Sequence, residues 1–190
     1  MADVLERLKV LINSSTPIVV METVEEVRAV DAVRSACSEL NMAVFEWSIA
    51  DGLVRSGSGT PAVPAAGLQM RINAARHASD PGAPESSQAA IYNTADPVQA
   101  LANMESMTLE AVFILKDFHR HLDNAVVVRR LRDVGQKFAT NRRTVVLTSP
   151  SIDMPAELAS LVEYLDLPLP DQTRLRQIVE QAFKRLSKTY

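Results

Sequence analysis

The sequence predicts an α/β protein built on a parallel sheet with helices on both faces. Three observations carry that expectation. Short, wholly apolar and β-branched runs recur, as at Ile18-Val19-Val20-Met21 and Val145-Val146-Leu147. Such runs suit strands buried on both faces. Stretches with apolar residues at helical spacing separate them. Strand and helix signals therefore alternate, which is the pattern of β-α units.

The first helix is predicted over Val4 to about Ile12, where Val4, Leu5, Leu8, Leu11 and Ile12 share a stripe. Asn13-Ser14-Ser15-Thr16-Pro17 ends it. The strand Ile18–Met21 follows. Thr23-Val24-Glu25-Glu26 then has the form of a capping box, with Thr23 as N-cap and Glu26 at N3. Val27, Val30, Val33, Cys37 and Leu40 give the next helix its apolar face. Asn41 breaks that pattern, and Met42–Ile49 is predicted to be the second strand.

From Gly52 to Ala95 the composition shifts to Gly, Pro, Ser and Ala. Residues 53–95 are expected to be a flexible excursion, with one short helix near Leu68–His77. Asp96-Pro97 opens a helix that turns Val98, Leu101 and Met104 inward. Ala111–Leu115 is the third strand, running into Lys116-Asp117-Phe118-His119. A helix from Ala125 to about Thr140 buries Val127, Val128, Leu131, Val134 and Phe138. Thr144–Thr148 is the fourth strand and ends in Ser149-Pro150. A short helix from Pro155 to about Val162 leads to a fifth strand near Tyr164–Leu167. Pro168-Leu169-Pro170-Asp171 caps a last helix with Leu175, Ile178, Val179, Ala182, Phe183 and Leu186 on one face.

The 190 residues amount to about one domain, and residues 1–190 are read as one. With 47% hydrophobic and 23% charged residues, general disorder is excluded. Twenty Lys and Arg against 23 Asp and Glu leave −3, which gives no argument for a nucleic-acid or anionic-membrane partner. The single Cys37 excludes an internal disulfide framework and a Cys-rich zinc site. No apolar run approaches the roughly 18 residues of a membrane span. The opening residues lack the basic and apolar regions of a signal peptide. A cytoplasmic setting is therefore expected.

Several motifs together narrow the expectation. They are residues 11–28, Phe113-Ile114-Leu115-Lys116-Asp117-Phe118-His119, Leu131-Arg132-Asp133, Thr148-Ser149-Pro150, Pro155-Ala156-Glu157-Leu158 and Leu165-Asp166-Leu167-Pro168-Leu169-Pro170. This combination resembles the N-terminal domain of the AAA-type ATPases of cyanobacteria and algal chloroplasts. The resemblance implies a RecA-like or AAA+ core with five parallel strands in the order 5-1-4-3-2. It places Asp117 at the acidic Walker B position, and Thr148 and Ser149 at the polar sensor position. ATPase activity would come from a C-terminal AAA+ module that follows such a domain.

The chemistry expected of this chain by itself is different. A phosphate loop needs glycines, a lysine and a hydroxyl in fixed order after the first strand. Met21-Glu22-Thr23-Val24-Glu25-Glu26 supplies none of the glycines and no lysine. Glu25 and Glu26 carry negative charge where the helix start would otherwise favour a phosphate. Gly52-Leu53-Val54-Arg55-Ser56-Gly57-Ser58-Gly59 copies the first six loop positions, but Ser58 replaces the lysine. Phe118, not Glu, follows Asp117. No cofactor is expected.

Asp117, His119, His121 and Asp123 alternate, and His119 and His121 are weighed as divalent-metal ligands. Solvated loop histidines are the simpler reading. Cys37 lies on a helix's apolar stripe and reads as a small buried hydrophobe. Arg129, Arg130, Arg132, Arg142 and Arg143 form the densest basic cluster. They are read as a solvated face or as a contact with a protein partner or neighbouring subunit.

The function that follows is a non-catalytic AAA-like domain for partner recognition or assembly of an attached AAA+ ATPase. A homo-oligomer is compatible with it. The alternatives are an ATP- and Mg-binding ATPase with a divergent phosphate site, and a divalent-metal-binding protein.

Overall fold

The computed structural model describes residues 2–56, 91, 93–169 and the later positions 175, 176, 179, 180 and 183. Helix α1 spans Ala2–Asn13 and strand β1 spans Ile18–Glu22. Helix α2 covers Glu26–Glu39. Asn41 takes φ 54, and Met42 N donates to the Cys37 carbonyl at 2.9 Å. That left-handed stop lets the chain reverse into β2, Ala43–Ser48. A short β3 follows at Gly52–Arg55. Helix α3 is Pro97–Ser106, and its N-cap Asp96 accepts from Gln99 N. Then come β4 (Ala111–Lys116), a 3-10 turn (Phe118–His121) and α4 (Ala125–Phe138). Strand β5 is Arg143–Ser149. A second 3-10 turn, Ala156–Leu161, leads to β6, Val162–Tyr164.

The sheet order is β3-β2-β4-β5-β1-β6. β1 pairs in parallel with β5 and β6, and β4 in parallel with β2 and β5. β3 is antiparallel to β2. The expectation of five parallel strands ordered 5-1-4-3-2 is thereby corrected in strand count and overall order: the sheet is mixed and six-stranded, with the antiparallel β3 added beyond β2, while the parallel strands run β6-β1-β5-β4-β2. The cause is local. Ile49–Asp51 is too short for a crossover, so the chain can only fold back as a hairpin. Ser48 Oγ holds that turn, donating to Asp51 Oδ2 at 2.8 Å and accepting from Asp51 N at 3.1 Å.

Other boundaries move as well. The last strand begins at Val162, and the expected helix before it is a 3-10 turn. Residues 53–55 belong to β3. The expected helix near Leu68–His77 and most of 53–95 lie outside the described residues. Thr23 does not cap α2. It accepts from Glu25 N at 2.9 Å in a local turn, and the helix begins at Glu26 with Glu25 ahead of it. Val27 is solvent-exposed, contrary to its place in the expected apolar stripe. The C-terminal positions 175, 176, 179, 180 and 183 are helical, with Leu175, Val179 and Phe183 exposed.

Alternation along the strands divides the core in two. Ile18, Val20, Phe113, Leu115, Val145 and Leu147 face α3 and α4. Val19, Met21, Val112, Ile114 and Val146 face α1 and α2. On the first side Phe113 stacks between Phe45 and Phe138, at centroid distances of 5.3 and 5.6 Å. On the second side Cys37 is fully buried, and burial pushes its thiol up to about 12. A thiol so protonated packs as a hydrophobe and does not react.

Candidate functional site

The carboxyl ends of β1, β4 and β5 meet beneath the start of α2. Register puts Lys116 beside Thr148, and Thr148 beside Met21. Asp117 directly follows β4 with φ 52, and its N–H donates to the Thr148 carbonyl at 2.9 Å. Its side chain is exposed and makes no hydrogen bond among the described residues. Thr148 is 1% exposed, and its Oγ1 has no partner among the described residues. Ser149 Oγ donates to the Ser151 carbonyl at 2.9 Å. The structure thus brings Asp117, Thr148 and Ser149 to one edge.

The connection from β1 to α2 is pinned flat across that edge. Thr23 N donates to the Ser149 carbonyl at 2.8 Å, and Ile152 N donates to Glu22 Oε1 at 2.8 Å. Only Thr23, Val24 and Glu25 join strand to helix. Glu25 pairs with Arg28, whose guanidinium also donates to the Pro168 carbonyl.

Sequence reasoning missed the cation at this edge. Lys116 Nζ sits 2.9 Å from Glu46 Oε2 and 3.9 Å from Glu26 Oε1. Glu46 Oε1 accepts from Ser56 Oγ at 2.6 Å and from Arg34 Nε at 2.9 Å. Burial alone would raise the Glu46 pKa. The bonds from Ser56, Lys116 and Arg34 outweigh burial and hold it below the usual carboxylate value. Glu46 and Ser48 alternate with Phe45 and Trp47 in the sequence, which was the available signal for a polar half-strand.

The histidines do not form a metal cluster. Among the described residues, no three His, Cys, Asp or Glu side chains converge. His121 lies edge-on to Trp47 and Phe118, with each centroid distance 5.7 Å. It packs on these rings while remaining partly exposed. His119 is half-buried, with Nδ1 unpartnered among the described residues.

The arginines disperse instead of forming one patch. Arg143 is buried, with its guanidinium 4.5 Å from the Phe138 ring centroid and donating to the Met107 carbonyl. Arg142 reaches Asn13 and Glu110, Arg130 reaches Glu105, and Arg129 reaches Asp133. Arg132 has no ion pair or side-chain hydrogen bond among the described residues. Gly52–Arg55, the start of the apparent phosphate loop, is strand β3.

No helix among the described residues is long and apolar enough to cross a membrane. The chain is 26% identical over 172 residues to the "Uncharacterized AAA domain-containing protein ycf46" of Guillardia theta, covering 89% of this chain and 28% of that protein. It is 26% identical over 184 residues to the protein of that name from Pyropia yezoensis, covering 95% of this chain and 31% of that protein. A third such protein, from Trieres chinensis, is 25% identical over 187 residues, covering 97% of this chain and 32% of that protein. The chain therefore spans about a third of the length of the curated relatives it matches. The family model described as the SpoVK-like AAA ATPase, N-terminal domain, matches residues 4–167. With that match across most of the α/β core, the chain belongs to the SpoVK-like AAA ATPase N-terminal domain family.

Proposed function

We propose that this domain performs no nucleotide chemistry and serves recognition or assembly for a AAA+ module such as its relatives' names describe. Residues 1–190 are treated as one such domain, in a cytoplasmic setting. The observation that carries the reading is the Glu22–Glu26 segment. It lies directly across the strand ends and puts the Glu25 and Glu26 carboxylates at the α2 start. A Mg-nucleotide needs backbone amides, a lysine and a hydroxyl converging on its phosphates. The groups present do not suit it: the Lys116 ammonium is engaged by Glu46, and the Asp117 carboxylate stands without a following Glu. The Arg132 side of α4 supplies a surface for a protein partner.

The test is thermal unfolding with and without millimolar Mg-ATP. A ligand that binds only the folded state raises the midpoint, by an amount that grows with the logarithm of its concentration over its Kd. This reading predicts no shift. One observation favours the divergent ATPase: the buried Thr148 Oγ1, without a partner among the described residues, beside Lys116 in register. That alternative predicts a Mg-ATP-dependent rise that Thr148→Val abolishes.

A further inference from the structure

A groove of about 340 Å³ opens between the first two turns of α4 and the Pro155–Glu157 segment. That volume is at the low end of the range of about 300–1,000 Å³ typical of ligand-binding clefts. Leu122, Ala125, Val128 and Pro155 give it apolar walls. Arg129 and Arg132, one turn apart on α4, line it too.

The two arginines are not equivalent. Arg129 is held by Asp133, Nη2 to Oδ1 at 2.8 Å, so its fork is occupied. Arg130, Arg142 and Arg143 also have acceptors. Arg132 is the member of the five with none among the described residues, and it is half-buried against the groove. A partly desolvated cation without a counter-ion favours the arrival of an anion. The planar guanidinium fork matches a carboxylate in a way an ammonium does not.

Asp123 and Glu157 lie on the same groove. Neither forms an ion pair among the described residues. They oppose a polyanion, so a nucleic-acid backbone or a phosphate cluster is a poor occupant. One carboxylate beside an apolar group satisfies both the walls and Arg132.

We propose that this groove receives a short peptide of a protein partner, with an apolar side chain seated between Val128 and Pro155 and a neighbouring carboxylate paired with Arg132. The proposal rests on the recognition reading above and names the surface and partner chemistry for it.

Random dodecapeptides displayed on phage and selected on the full 190-residue chain provide the test. The expected consensus is an apolar residue followed closely by Asp or Glu. Arg132→Ala should weaken a selected peptide about tenfold or more, the worth of one charged hydrogen bond. Arg132→Glu should switch selection toward Lys or Arg at the acidic position. Ala125→Trp, at an exposed helix start, should block the groove without touching the core. Arg130→Ala, whose partner is Glu105, should leave affinity unchanged. Melting curves verify that each variant folds. No selected peptide, a consensus without an acid, or equal binding to Arg132→Glu would overturn the proposal. Mg-ATP binding is a separate readout, so failure of the non-catalytic reading is distinguishable from failure of the groove.

Discussion

Lys116 Nζ lies 2.9 Å from Glu46 Oε2 and joins two neighbouring strands at the edge where the nucleotide of a AAA+ ATPase would approach. The pair belongs to a network that extends through Arg34 to α2 and through Ser56 to the end of β3. The edge is thus organised around its own charges.

Glu46 gives a pH signature. Its carboxyl is held below the ordinary value, so its stabilisation is present above the unfolded-state pKa of about 4.5 and is lost as pH falls through the lower folded value. Glu46→Gln removes this contribution and leaves Lys116 with a weaker partner, a cost of about 1–3 kcal/mol near neutral pH. Melting curves of both proteins from neutral to acidic pH should converge in acid. A gap that stays constant down to strongly acidic pH would contradict the assignment.

Thr94 ties Leu53 to Ile91 and Trp47. Its Oγ1 accepts from Leu53 N at 2.8 Å and donates to the Ile91 carbonyl at 2.7 Å, while its carbonyl accepts from Trp47 Nε1 at 2.5 Å. Thr94→Val leaves buried backbone groups unpaired and should destabilise by about 1–3 kcal/mol. Gly52→Ala should also destabilise. Gly52 has φ 72, and an added Cβ would stand 2.8 Å from Thr94 Oγ1. Because Trp47 is the sole tryptophan, its emission follows both unfolding transitions directly.

Much of the fold was legible because two-sided burial leaves a plain record. Ile18-Val19-Val20-Met21 and Val145-Val146-Leu147 have no polar face to hide. β3 was not legible: Gly-Leu-Val-Arg is short, borders a glycine-rich stretch, and depends on Thr94, which lies 41 residues beyond Leu53. The edge residues Asp117, Thr148 and Ser149 were placed by resemblance, and they do lie together. The Glu46–Lys116 pair was missed because it depends on strand order. The separate directions of the five arginines were not legible, because proximity in sequence fixes neither face nor burial. Arg143 enters a strand and lies over Phe138, whereas Arg130 turns outward to Glu105.

Phe113 should dominate core stability on the α3–α4 side. It is fully buried between two other rings. Phe113→Ala removes that volume and both stacks, for a loss of about 3–5 kcal/mol. Urea denaturation measures it. A loss under about 1 kcal/mol, close to the burial of a single methylene, would mean the site is not packed as described.

The histidines separate packing from metal binding. His121→Ala removes an edge-on contact with Trp47 and Phe118 and should cost about 0.5–1.5 kcal/mol. Added zinc should leave the melting temperature unchanged in the parent chain. Zinc retained at one equivalent after exhaustive dialysis, and lost in the His119→Ala/His121→Ala double variant, would establish a metal site instead.

The central claim is that the strand edge carrying Asp117, Thr148 and Ser149 holds no nucleotide. Isothermal titration calorimetry of the chain with Mg-ATP, at high protein concentration, tests it most directly. Phosphate binding depends on positioned donors and electrostatic complementarity, and the α2 start presents Glu25 and Glu26. The predicted result is no binding heat. A micromolar Kd abolished by Asp117→Ala or Thr148→Val would contradict the account and establish a divergent nucleotide site.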